Sequence, residues 1–198
     1  VLNRRLLLVS SALMLSAALV GCNSKESATA ISAPKAAPAK QAPSLEAAAQ
    51  ARGFTAGAMM AANPVYVFFD PQCPHCGHLW NASLPLQKSV KFIWIPVALI
   101  NASSLAQGGA LLAAVNPADA MTEHETSLLA GKGGISASSS LSPELEQAIK
   151  KNTEIMTSFG AEGVPFVVAK NLRTGQVISR DGSMSTAALA DLLGVSQP

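Results

Sequence analysis

The fold of this chain is decided where an apolar run passes into a pair of cysteines, in the stretch Val65-Tyr66-Val67-Phe68-Phe69-Asp70-Pro71-Gln72-Cys73-Pro74-His75-Cys76. The run 65–69 is rich in β-branched and aromatic residues, which predicts a buried strand. Pro74 suits the first turn of a helix, because a proline there has no N–H to leave unpaired. The stretch therefore predicts a strand that leads directly into a helix, with Cys73 at the helix start and Cys76 on the same helix face.

Two cysteines at this spacing form a redox pair. A helix start favours an anion, because its N–H groups are unsatisfied and the positive end of the helix dipole lies there. We therefore expect Cys73 to be the exposed member of the pair, to ionise readily and to act as the nucleophile. His75 adds a donor or a positive charge near that sulfur, which should lower the pKa of the thiol further. Cys76 is the expected resolving thiol, and Pro74 and His75 are expected to tune the pair.

Two other uses of the cysteines stay open at this point. A permanent structural disulfide would close a very short loop and would remove little chain entropy, which disfavours it. Cys73, Cys76 and His78 could supply three ligands to a metal, but no second cysteine or histidine pair follows them, so no metal is expected. Covalent haem needs a histidine directly after Cys76, where Gly77 stands. We expect no cofactor.

The pattern of the remaining chain predicts further strands and helices in a definite order. A helix at 73–83 and a strand within 90–100 follow the first strand, and Pro96 indicates a bend or a sheet edge there. Helices are then expected at 103–115, 117–130 and 142–159, strands at 166–169 and 176–180, and a closing helix at 185–193. This order is that of the thioredoxin fold, an α/β fold in which helices flank a mixed sheet, here with a helical insertion.

The N-terminal residues follow the pattern of a secretory signal peptide. Arg4 and Arg5 precede an apolar stretch of about fifteen residues, and Leu19-Val20-Gly21-Cys22 resembles the bacterial lipobox. We therefore expect residues 1–21 to be a lipoprotein signal peptide, cleaved before a Cys22 that carries lipid. A retained membrane anchor is the alternative, although the apolar stretch is short for one.

Residues 22–62 predict a flexible tether with one short helix at 44–52. Asn23, which follows the lipidated cysteine, resembles the sorting signal for the outer membrane rather than the inner one. The chain would then be lipid-anchored in the periplasm, where a disulfide can persist. Once Arg4 and Arg5 are removed from the fourteen basic residues, the rest equal the twelve acidic ones, so nucleic acid is not an expected partner.

The stretch 66–76 resembles the catalytic domain of DsbC and DsbG, the periplasmic disulfide isomerases, and shares an Asp-Pro-x-Cys-Pro sequence with DsbG. The resemblance covers about 63–194 and implies a thioredoxin-like catalytic domain at 63–198. It implies exchange of disulfides with cysteine-containing periplasmic proteins through Cys73, with Cys76 resolving. It also implies a membrane partner that reduces or reoxidises the pair.

Pro165 is expected to lie beside the cysteines. In this fold the proline between helix and strand is cis, and Val164-Pro165 stands at the corresponding place. Because Pro165 has no N–H, it cannot pair with the preceding strand, and the Val164 backbone stays free to bind an extended substrate. A trans proline that starts an edge strand is the alternative.

Two features depart from the isomerases. Their N-terminal dimerisation domain has no counterpart in the predicted tether, so we expect a monomer. The Cys-Pro-His-Cys motif together with Val164 resembles DsbA, an oxidant, which leaves a monomeric DsbA-like oxidant as the alternative to an isomerase-like enzyme. A binding protein, either a metal carrier or a chaperone for unfolded chains, is the alternative outside the enzymes.

Five charged or titratable side chains near the motif are given structural roles. Asp70 could accept a proton from the resolving thiol, but an Asp-Pro pair commonly starts a turn and caps a helix, which we favour. His78 and His124 are predicted to be exposed on helices. Glu123 and Glu125 are predicted to form a solvated face.

Overall fold

The computed structural model of this protein describes residues 40–197. The predicted signal peptide, the predicted lipidation site Cys22 and about half of the predicted tether lie outside these residues. Across the described part of the chain, no helix combines the length and the apolar character needed to cross a membrane.

The elements follow the predicted order, with one additional strand. They are α1 (Leu45–Ala48), β1 (Phe54–Gly57), β2 (Pro64–Phe69), α2 (Pro74–Ser83), β3 (Lys91–Pro96), α3 (Ala102–Ala113), α4 (Pro117–Leu129), α5 (Pro143–Ser158), β4 (Phe166–Lys170), β5 (Val177–Asp181) and α6 (Thr186–Leu193). A turn of 3₁₀ helix at Leu84–Leu86 follows α2, because Pro85 cannot continue an α-helix.

The five strands form one mixed sheet in the order β1-β3-β2-β4-β5. β2 and β3 are parallel, whereas the other neighbouring strands are antiparallel. β2 therefore lies at the centre of the sheet, and its last residue, Phe69, leads directly toward the cysteine pair. The predicted mixed sheet flanked by helices, with a helical insertion between β3 and β4, is confirmed.

The sheet is covered on both faces, and alternate residues of β2 point into two separate cores. One core contains Val67 and Phe69 and lies under α2, α4 and α6. Its largest side chains include Leu79, Trp80, Phe92 and Trp94, and the two indole rings pack edge to face with centroids 5.1 Å apart. The other core contains Phe68 and lies under α1 and α5. Burial on both faces fixes the position of the strand end from which α2 begins.

The folded domain begins before residue 63, so the interpretation of 22–62 as a tether is wrong for its second half. The predicted short helix is present as α1, but Phe54–Gly57 forms the edge strand β1, antiparallel to β3. Phe54 and Ala56 are buried against the sheet. Gly53 lies so close to β3 that a Cβ there would be 2.5 Å from the Trp94 carbonyl oxygen. The strand is only four residues long, which is too short to show a period in sequence.

Candidate active site

The two cysteines stand at the start of α2 as predicted. Cys73 is the N-cap residue with extended backbone, Pro74 occupies the first turn, and Cys76 follows within that turn. The Cys73 N–H donates to the Asp70 carbonyl oxygen at 2.9 Å, which closes the turn between β2 and α2. Pro74 and His75 are exposed, so they form the surface around the pair.

Cys73 is less accessible than the sequence suggested. Its residue exposure is 5%, so the expectation of an exposed thiol is wrong in degree, and Cys76 is fully buried. The Cys73 Sγ lies 3.5 Å from the carbonyl oxygen of Val164, to which it donates when the thiol is protonated. The loop that contains Val164 therefore covers the sulfur, and this cover comes from a part of the chain 91 residues away.

The Val164–Pro165 peptide bond is cis, as the resemblance predicted. The Pro165 carbonyl oxygen accepts a hydrogen bond of 2.8 Å from the Gly182 N–H, which ties this loop to the end of β5. Val164 is half-buried and its carbonyl oxygen faces the Cys73 sulfur. The structure thus brings together four of the predicted site residues, namely Cys73, Cys76, Val164 and Pro165.

The surroundings of the two sulfurs push their pKa values apart. The largest influence on the pKa of Cys73 is a hydrogen bond from the Cys76 thiol, which lowers it. The N–H groups of Cys76 and His75 and the charge of His75 lower it further, so the pKa of Cys73 is about 6 although burial acts in the opposite direction. Burial raises the pKa of Cys76 well above its ordinary value, and the neighbouring Cys73 raises it further. At neutral pH the pair therefore holds one thiolate, on Cys73, and one neutral thiol, on Cys76.

Asp70 is buried and has a structural role. Its Oδ1 accepts hydrogen bonds from the Gln72 N–H at 2.8 Å and the Ser104 hydroxyl at 2.7 Å. Its Oδ2 accepts from the N–H groups of Leu99 at 2.7 Å and Ile100 at 3.0 Å. The predicted turn role is confirmed, although the side chain does not cap α2. Four donors occupy the carboxylate, which disfavours the alternative in which Asp70 accepts a proton from Cys76.

We expect an Asp70→Asn variant to lose about 3 kcal/mol of unfolding free energy, because its amide nitrogen would face donors that the carboxylate now satisfies. Urea unfolding followed by tryptophan fluorescence measures the change. Asp119→Asn, at an exposed position of α4, is the control and should stay within about 0.5 kcal/mol of the parent protein. Equal unfolding midpoints for Asp70→Asn and the parent would contradict this role.

His124 is fully buried, so its predicted exposure is wrong. Its Nε2 donates to the Pro71 carbonyl oxygen at 2.6 Å, and its Nδ1 accepts from the Ile135 N–H at 3.2 Å. Because the Ile135 amide can only donate, the ring is held as the neutral tautomer with its proton on Nε2. Burial lowers the pKa of His124, against opposing influences from Pro71 and Asp70. The ring fastens α4 to the turn that precedes Cys73.

This burial makes stability depend on pH. The pKa of His124 in the folded protein lies below its ordinary value of 6.5. The contribution of the neutral His124 ring to the free energy of unfolding is therefore fully present above about pH 6.5. It is lost as the pH falls below that value, because protons bind the unfolded chain preferentially. We expect the melting temperature to fall more steeply between pH 7 and 5 in the parent protein than in His124→Gln. His78→Gln, at an exposed position, should keep the parent's slope, and parallel slopes for all three would contradict the prediction.

A glutamine network that sequence patterns did not reveal also holds this turn. The Gln72 side-chain amide donates to Gln107 Oε1 at 2.5 Å and to the Gly133 carbonyl at 3.0 Å. The Gln107 amide donates in turn to the carbonyls of Gly133 at 2.8 Å and Ile135 at 2.9 Å. The partners of the Gln72 side chain are 29, 35 and 61 residues away along the chain, so no local spacing could have indicated them.

Glu125 is fully buried on α4, and its predicted place on a solvated face is wrong, whereas Glu123 is exposed as predicted. Burial, and secondly the charge of Cys73, raise the pKa of Glu125 to about 9. Neither carboxyl oxygen has a hydrogen-bond partner among the described residues. Over the same part of the chain, no three His, Cys, Asp or Glu side chains are grouped so that they could hold a metal ion.

Two curated proteins are similar to this chain in sequence. The thiol:disulfide interchange protein DsbG of Pseudomonas aeruginosa is 33% identical over 138 residues, which are 66% of this chain and 50% of DsbG. DsbG of Escherichia coli is 31% identical over 105 residues, or 52% of this chain and 42% of DsbG. The predicted resemblance to DsbG is confirmed, and the chain spans about half the length of the curated relatives it matches. No protein-family model matches the sequence.

Solved structures of other proteins share the fold. The catalytic domain of Proteus mirabilis ScsC has a TM-score of 0.56 at 19% identity, over 72% of this chain and 87% of that domain. A thioredoxin-like oxidoreductase from Silicibacter pomeroyi has a TM-score of 0.56 at 16% identity, over 77% of this chain and 96% of its own. The thiol-disulfide exchange protein α-DsbA2 from Wolbachia pipientis has a TM-score of 0.54 at 16% identity, over 72% of this chain and 86% of its own. The predicted thioredoxin-like fold is confirmed.

Proposed function

We propose that this chain, a relative of the DsbG thiol:disulfide interchange proteins, is a thiol:disulfide oxidoreductase that exchanges disulfides with cysteine-containing proteins through Cys73 and Cys76. The observation that carries the proposal is the Cys73 sulfur itself. It stands at a helix start with a pKa of about 6, beside the cis Val164–Pro165 bond, while the Cys76 thiol lies buried behind it.

The proposed reaction has two steps that balance in sulfur bonds and electrons. The Cys73 thiolate attacks a substrate disulfide, forms a mixed disulfide and releases one substrate sulfur as a thiolate. Cys76, after losing its proton, attacks the Cys73 sulfur, forms the Cys73–Cys76 disulfide and releases the second substrate sulfur. The substrate is reduced by two electrons and this chain is oxidised. The reverse sequence passes a disulfide to a substrate dithiol.

Val164 and Pro165 would form the substrate groove. The Val164 carbonyl oxygen already lies 3.5 Å from the Cys73 sulfur, so an extended peptide hydrogen-bonded to this backbone would bring its own sulfur close to Cys73. The exposed side chains of Pro74 and His75 would border the opposite side of the groove. Backbone contacts of this kind select an extended conformation rather than a particular sequence, which suits varied protein substrates.

The direction of exchange follows from which form of the pair is stabilised. A low pKa for Cys73 stabilises the thiolate, and hence the reduced form, which makes the disulfide form a stronger oxidant. This observation favours the second candidate function, a DsbA-like oxidant, in preference to a reductase. Net isomerisation would require the mixed disulfide to be released before Cys76 resolves it.

We also propose a periplasmic location with a lipid anchor on Cys22, in the outer rather than the inner membrane. The sequence Leu19-Val20-Gly21-Cys22 after the apolar stretch, followed by Asn23, supports this part of the proposal. The tether would then end near the start of α1, and the domain beyond it would act as a monomer. A membrane partner would restore the redox state of the cysteine pair.

Refolding of ribonuclease A tests the function. The disulfide form of this protein should oxidise reduced ribonuclease, and the dithiol form should rearrange ribonuclease with scrambled disulfides, each at substoichiometric concentration. An oxidant would perform the first reaction far better than the second. Stoichiometric binding of unfolded ribonuclease with no change in its disulfides would instead indicate a chaperone-type binding protein.

A further inference from the structure

The Glu125 carboxyl group is a buried acid without a hydrogen-bond partner among the described residues. The side chain is fully buried, and both of its oxygens lack a hydrogen-bond partner among residues 40–197. A buried carboxyl without partners is costly when ionised and is accordingly rare in structural roles. Groups of this kind are characteristic of sites where a proton must be held and released.

Its position connects it to the cysteine pair. α4 packs against α2, and the Glu125 carboxyl lies against the backbone of Gly77, the residue that follows Cys76. A Cβ at position 77 would be 2.6 Å from Glu125 Oε2. Glycine at this position therefore allows the carboxyl group to reach the backbone of the first turn of α2, beside the resolving cysteine.

The other titratable groups in this region are engaged or exposed. α4 also packs against α3 and β1, neither of which carries a titratable side chain. On α2, His75 and His78 are exposed. Asp70 and His124 are fully hydrogen-bonded, as described above. Among the described residues around Cys76, Glu125 is thus the acid or base that has no competing partner.

We propose that Glu125 is the proton acceptor and proton donor for the Cys76 thiol, an inference that rests on the proposed function. When Cys73 enters the mixed disulfide and loses its charge, Glu125 releases its own proton to solvent. The Glu125 carboxylate then takes the proton of Cys76, and the resulting Cys76 thiolate attacks the Cys73 sulfur. The Cys73–Cys76 bond forms, the bond from Cys73 to the substrate breaks, and the substrate sulfur leaves with the electron pair. In the reverse direction Cys76 leaves as a thiolate and receives the proton from the Glu125 carboxylic acid.

The charge of Cys73 would determine when this proton transfer occurs. The Cys73 thiolate is one of the two influences that raise the pKa of Glu125, the larger being burial. When Cys73 enters a mixed disulfide it loses its charge, so the pKa of Glu125 falls at the moment when a proton acceptor is needed. When the thiolate returns, the pKa rises again and the carboxyl group keeps its proton.

The test uses the reaction of the reduced protein with 5,5′-dithiobis(2-nitrobenzoate), which releases one chromophore when Cys73 attacks and a second when Cys76 resolves the mixed disulfide. We expect Glu125→Gln to leave the first phase unchanged and to slow the second at least about tenfold at pH 7. Glu123→Gln, two residues away on the exposed face of α4, is the matched control and should behave like the parent. At strongly alkaline pH the two rates should converge, because hydroxide then deprotonates Cys76.

Equal second-phase rates for Glu125→Gln and the parent at pH 7 would overturn the inference. Absence of the first phase from the parent protein would instead overturn the proposed function, so the two failures are distinguishable. Infrared difference spectra of the parent protein give a measurement that does not depend on folding of the variant. The carboxylic acid C=O band should titrate at a lower pH in the disulfide form than in the dithiol form, because the Cys73 charge that raises the pKa of Glu125 is then absent. The same titration midpoint in both forms overturns the inference.

Discussion

A Cys73→Ser variant should show no disulfide exchange beyond the uncatalysed background. The Cys73 sulfur is the group that the helix start, the Cys76 thiol and His75 stabilise as an anion, with a pKa of about 6. A serine hydroxyl stays protonated at neutral pH and cannot form a mixed disulfide. We expect the rate of ribonuclease oxidation to fall on the order of a thousandfold or more.

Cys76→Ser provides the matched comparison, because it removes the second sulfur of the same pair. This variant should still attack a substrate disulfide through Cys73, but it should accumulate the mixed disulfide, visible as a covalent adduct on a non-reducing gel. Residual turnover in Cys73→Ser, or an adduct that forms through Cys76 in that variant, would contradict the assigned order of attack. If neither variant forms the adduct, Cys73 can be the nucleophile only when Cys76→Ser has not folded. Circular dichroism of Cys76→Ser checks whether that variant is folded.

The parts of the site that are local in sequence were predictable. The apolar run before the cysteines, the proline after Cys73 and the spacing of the pair all act within about twelve residues, where strand burial and helix-start preferences operate directly. The cis bond before Pro165 was predictable only through the resemblance, because its position relative to the cysteines depends on the order of the elements.

The burial of α4 was not predicted, although a signal for it exists. Met121, His124, Glu125 and Leu128 are spaced as one face of a helix, and three of them are fully buried. Because two of the four are polar, the face does not look apolar, and the sequence pattern predicts a solvated face. A helix position can be buried for reasons of hydrogen bonding, as at His124, and composition alone does not reveal this.

The remaining differences come from contacts that are distant along the chain. The cover over Cys73 is provided by Val164, and the turn that precedes it is held by Gln107, His124 and the loop around Gly133. Strand β1 depends in the same way on pairing with β3, because its own four residues are too few to indicate a strand by themselves. Sequence reasoning predicts which cysteine is the nucleophile, whereas the degree of burial of that cysteine is a property of the assembled fold.

The pH dependence of alkylation is expected to separate the two thiols. With a pKa of about 6, roughly nine-tenths of Cys73 is thiolate at pH 7, against about one-hundredth for a cysteine at the ordinary value of 9.0. The rate of reaction with iodoacetamide should therefore rise through a midpoint near pH 6 and level off above pH 7. Mass spectrometry should find a single adduct, on Cys73, because Cys76 is buried and its pKa is raised.

The cause of the low pKa can be tested in the same assay. Because the hydrogen bond from Cys76 is the largest influence on Cys73, Cys76→Ala, which leaves no donor at this position, should move the alkylation midpoint upward. The shift should be larger than that of His75→Gln, which removes the smallest influence. His78→Gln, at an exposed position one turn further along α2, should leave the midpoint unchanged. A midpoint near 9 in the parent protein, or equal modification of both cysteines, would mean that the Cys73 sulfur is not activated relative to an ordinary cysteine.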